Sequence, residues 1–122
     1  MQISPAQWDN AANRYFTDRI AALIRTEHPD QSRGIKNQAF AHLVRTLLPQ
    51  AHRYGLYDER SSAVFVYAGW ILGEHFDIRI PVLAQVLADS ALTPIIKAEA
   101  ILDFTASLRA VLETRDPSRK LP

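Results

Sequence analysis

The sequence predicts an all-α protein: a single-domain bundle of about five helices, with the third (59–73) central. Three observations predict it. Apolar residues recur at helical spacing over most of the chain. Helix start and stop residues punctuate it: Ser4-Pro5, Asp58 and Thr93-Pro94 as starts, Gly55 as a stop. The single strand-like run, "VFVYAGWIL", has no second strand to pair with.

The first helix starts at "SPAQ", with Ser4 as N-cap, Pro5 at the first helical position and Gln7 completing a capping box. It runs to about His28, because Pro29 disfavours helical geometry in the residue before it. At 100° per residue, Trp8, Ala11, Ala12, Tyr15, Phe16, Ala22 and Leu23 share a face. Arg19 falls in the middle of that face, where a charge must snorkel or find a partner. The predicted partner is an acid of the "GEHFD" turn, Asp77 first and Glu74 second.

A loop, "HPDQSRG", leads to a second helix from about Ile35 to Tyr54. Phe40, Leu43, Val44, Leu47, Ala51 and Tyr54 form its apolar face. Gln38, His42, Arg45, Pro49, His52 and Arg53 form the opposite, mildly basic one. Pro49 costs about 3 kcal/mol inside an ordinary helix. The apolar phase continues across it, so one helix kinked at Pro49 is expected rather than two.

Gly55 suits a left-handed C-terminal cap and Asp58 an N-cap, with Glu59 favourable in the first turn. "YGLYDER" is thus a tight helix-to-helix turn, with Leu56 beneath it. The third helix, Glu59 to Gly73, is apolar on every side, the mark of a helix with neighbours all round. Ser62, Val66, Gly69 and Gly73 make a small-residue stripe that lets another helix approach. Tyr54, Gly55, Phe76 and Trp70 are the expected turn and core anchors. A fourth helix covers about Pro81 to Asp89. A fifth runs from Thr93-Pro94 to about Arg115, with Ala100, Ile101, Phe104, Leu108, Val111 and Leu112 as its core face. Residues 1–115 form the domain and 116–122 a polar tail.

Composition narrows the function. At 122 residues and 48% hydrophobic content the chain can bury a core without staples. It has no cysteine, which excludes disulfides and thiolate metal sites. A formal net charge of +1 argues against a nucleic-acid binder working by bulk charge. The N-terminus lacks the basic and apolar regions of a signal peptide, and the longest apolar run, 63–72, is far short of the roughly 20 residues of a membrane span. A cytoplasmic protein is expected.

No motif carries chemistry. His28, His42, His52 and His75 include no pair at helical metal-ligand spacing, so no metal or cofactor is expected. Glu99 and Asp103 stand four apart on a polar face beside Ser107. No serine sits in a nucleophile elbow, and no glycine loop cradles a phosphate. A non-enzymatic role is therefore expected. The basic stripe of the second helix reads as a solvated face or as a surface for an acidic protein partner.

The ordered set Ile3, Ser4, Gln7, Arg19, Pro29, Tyr54, Gly55, Leu56, Glu59, Leu72, Gly73, Phe76, Asp77, Pro81, Val86 and Leu87 resembles a pattern found in small helical proteins encoded beside bacterial type VI secretion spike, PAAR-tip and effector genes. The resemblance covers residues 3–90. His28 stands where an aromatic residue is usual, and Pro49 in a helix usually free of proline. The resemblance implies a helper acting by protein–protein contact. It would be an adaptor or chaperone loading an effector or tip protein onto the spike, or an immunity protein neutralising a toxin; an enzyme of unrecognised class is the remaining reading. The expected partner surface is the wet face of the second helix (His42, Arg45, His52, Arg53) with the start of the fifth (Ile95, Leu102). A homo-oligomer is compatible with the sequence.

Overall fold

The computed structural model describes residues 5–115, and the side chains of residues 13–112. The Ser4 cap, the side chains of Gln7, Trp8, Ala11 and Ala12, and the tail 116–122 lie outside the described residues. The described chain is helical, with α1 at Pro5–Glu27, α2 at Asn37–Arg53, α3 at Glu59–Leu72, α4 at Phe76–Arg79, α5 at Pro81–Ala88 and α6 at Pro94–Arg115. The described residues form six helices rather than five, because "FDIR" closes one further helical turn inside the connection "GEHFDIRIP" expected between the third and fourth helices.

α3 packs against α1, α2, α4 and α6, while α5 lies against α4 and α6. α3 meets α2 closely at Gly69: a Cβ there would fall 2.1 Å from Leu47 Cδ1, so the absent side chain is what admits Leu47. α2 runs unbroken through Pro49, whose ring is on the exposed side, and Phe40, Leu43, Val44, Leu47 and Ala51 are all buried. The turn after it follows the expected chemistry. Gly55 has φ of 81°, which favours glycine. Asp58 accepts the Ser61 N–H at 3.0 Å and the Ser61 hydroxyl as well. At the other cap, Thr93 Oγ1 accepts from Ile96 N at 3.3 Å.

The face of α1 is a correction. Thr17, Ile20, Ala21 and Ile24 are buried, whereas Tyr15 and Leu23 are 58% and 39% exposed. The helix carries two stripes on nearly opposite sides, and the Ile20–Ile24 stripe meets the core. α6 is rotated in a smaller way: Lys97, Ala98, Ile101 and Thr105 are buried, and Val111 and Leu112 are exposed.

The loop between α1 and α2 is built on two side chains. Arg25 donates to Ser32 O at 3.3 Å, Ile35 O at 2.7 Å and Asn37 Oδ1 at 3.2 Å, and its guanidinium lies 5.0 Å from the centre of the Phe40 ring. His28 is buried, with Nε2 2.6 Å from the Tyr67 hydroxyl and its ring 5.2 Å from that of Trp70. Burial, then the nearby Arg109 charge, lowers the His28 pKa below its ordinary 6.5, against a smaller opposing effect of Glu27. The unfolded chain therefore binds the proton more readily than the folded one. Stability from this site is full above pH 6.5 and declines as pH falls through the lowered folded value. Denaturant midpoints should drop from pH 7 to pH 5.5 in the wild type and drop less in His28→Gln; equal slopes would show that His28 titrates as if exposed.

Candidate partner-binding surfaces

Arg19 does not meet the "GEHFD" turn. Its Nε lies 3.2 Å from Glu59 Oε1, and the two side chains are 61% and 51% exposed. The expected pairing with Asp77 or Glu74 fails for a physical reason: the stripe holding Arg19 is not the buried one, so the charge never needed an interior partner. An exposed pair of this kind contributes at most about 1 kcal/mol.

Asp77 is nonetheless buried, and its anchor is a different helix. The Tyr54 hydroxyl donates to Asp77 Oδ2 at 2.6 Å, while Oδ1 is buried with no hydrogen-bond partner among the described residues. Burial first, then this hydrogen bond, pushes the Tyr54 pKa up to about 12. Phe76 is fully buried beside Phe65, ring centroids 4.9 Å apart. The turn is thus tied to the end of α2 rather than to α1. Trp70 and Glu74 are half-buried.

The residue that sequence reasoning missed is Lys97. It is 5% exposed, and its ammonium donates to Tyr54 O at 3.0 Å and Leu87 O at 2.8 Å. Tyr54 caps α2 and Leu87 is in the last turn of α5, so one cation serves the C-terminal ends of two helices, where carbonyls lack intrahelical partners and the dipole favours positive charge. A signal existed: Lys97 stands four residues before Ile101, on the core face of α6.

This network shapes a concavity of about 490 Å³ between the end of α2, the end of α5 and the start of α6, lined among others by Arg53, Tyr57, Leu87, Leu92, Pro94 and Lys97. Tyr57 is 74% exposed, with its ring 5.5 Å from that of His52, and Ile95, the neighbour of Pro94, is 62% exposed.

The six expected partner residues do not form one surface. Arg53 and the start of α6 come together at this corner, with His52 beside it through Tyr57. Arg45 lines a polar cleft between α1 and α2 together with Arg14, Asp18 and Gln38. His42 is exposed on α2. Leu102 lines a separate, largely apolar groove of about 640 Å³, walled by Phe16 and Leu23 of α1 and floored by Ala63 and Tyr67 of α3.

Among the described residues, no group of three His, Cys, Asp or Glu side chains is placed to hold a metal ion. No helix among them is long and apolar enough to cross a membrane. No family model, curated protein or solved structure matches the chain.

Proposed function

We propose that the protein is a non-enzymatic, protein-binding accessory factor of a bacterial type VI secretion system, an adaptor or chaperone that helps load an effector or tip protein onto the spike. In this reading α3 is the central member of the bundle, and the corner between α2 and α6 is the binding surface. The observation that carries the binding role is the large, solvent-exposed Tyr57 ring lining a concavity held in shape by Tyr54 and Lys97, with Ile95 exposed on the turn of α6 that starts at Pro94. Aromatic and aliphatic anchors of this kind supply most of the energy of protein interfaces. The secretion setting is supported by the ordered residues between 3 and 90 that resemble the accessory proteins.

Co-purification with the products of neighbouring genes tests this. A spike, tip or effector protein should be recovered with the wild type and lost with Tyr57→Ser combined with Ile95→Asp, and its delivery should fall without this protein. Recovery of a toxin that kills cells lacking this protein would replace the adaptor reading with immunity. A chain that purifies alone beside every neighbour would end the partner reading.

A further inference from the structure

We propose that the α2–α6 corner recognises an acidic segment of its protein partner by taking a carboxylate side chain between Arg53 and Lys97. This rests on the corner being the binding surface and adds the chemistry of what enters it.

Charge is the basis. The residues lining the concavity include two cations, Arg53 and Lys97, and no acid. Among the described residues neither cation has a carboxylate within ion-pair distance. The Lys97 ammonium has three N–H donors and meets two neutral carbonyls. The carbonyls and helix C-termini that hold the Lys97 ammonium leave its net charge in place, and a carboxylate brought near it is attracted through a medium that screens poorly. Arg53, exposed in the last turn of α2, presents the planar donor fork that suits a carboxylate. The apolar part of the lining, which includes Leu87, Leu92, Pro94 and the Tyr57 ring, fits an apolar residue beside the acid. A chain with a net charge of only +1 thus places in one hollow two positive charges that have no carboxylate partner among the described residues. A nucleic acid would need phosphate contacts spread along a stripe, which this local pair does not provide.

The test is an amide-resolved NMR titration of the full chain with two capped peptides that differ only in charge, one with a Glu-Leu-Glu core and one with Gln-Leu-Gln. The acidic peptide should shift resonances in residues 53–57 and 87–97, the effect should weaken with salt, and Arg53→Gln should reduce affinity several-fold. Arg53 is exposed, so that variant keeps the fold, and the dispersed spectrum verifies it. Equal shifts with the glutamine peptide, no shift with either at millimolar concentration, or undiminished binding by Arg53→Gln would overturn the proposal. If co-purification recovers a partner that requires Tyr57 and Ile95 while the acidic peptide fails, the binding reading stands and the carboxylate reading falls.

Discussion

Phe65→Ala should cost about 3–5 kcal/mol, the range of a fully buried aromatic truncated to alanine. Phe65 has no exposed surface, and its ring stands 4.9 Å from that of Phe76 and 5.8 Å from that of Tyr54. It therefore joins α3 to the end of α2 and to α4, and its removal leaves a void against three elements at once. Leu72, at the end of α3, is only half-buried, and Leu72→Ala should cost clearly less. Denaturant unfolding of both variants checks the order. Equal small losses would show that α3 carries less of the core than its burial indicates.

Tyr54→Phe should cost about 2–3 kcal/mol, because the lost hydroxyl is the donor to a buried carboxylate. Asp77 Oδ1 already has no hydrogen-bond partner among the described residues, so the variant leaves both oxygens without one there. Asp77→Asn keeps an acceptor for the hydroxyl and removes the charge, and should be milder. The cost of Tyr54→Phe should shrink in the Asp77→Asn background, a coupling that a double-mutant cycle measures. The same contact sets an alkaline limit. With its pKa raised from 10.0 to about 12, Tyr54 contributes stability that is complete below pH 10 and is lost as pH rises through about 12. Additive costs in the cycle would show that Tyr54 and Asp77 act independently.

What was legible in the sequence follows from how many apolar stripes a helix carries. α2 has one, so its face, its passage through Pro49 and its cap at Gly55 were all readable. α1 has two, and spacing alone favoured the one with more residues. The fold buries Ile20 and Ile24 instead, because the loop built on Arg25 and His28 orients the helix. The error in the Arg19 partner followed from that choice. Asp77 was readable as an interior acid, but its partner was not: Tyr54 looked like the end of an apolar face, and its hydroxyl meets the acid only when two turns fold together. Lys97 was legible by position, four residues before Ile101 on the core face of α6, but its partners were not, because they are main-chain carbonyls that leave no trace in side-chain chemistry.

Hydrogen exchange on the complex with a recovered partner tests the central claim, that the α2–α6 corner is where this protein binds. Partner binding should slow exchange in residues 53–57 and 87–97 and leave residues 16–27 of α1 unchanged. Protection confined to α1 and to α6 around Leu102, with the corner exchanging as in the free protein, would place the interface in the apolar groove and contradict the account.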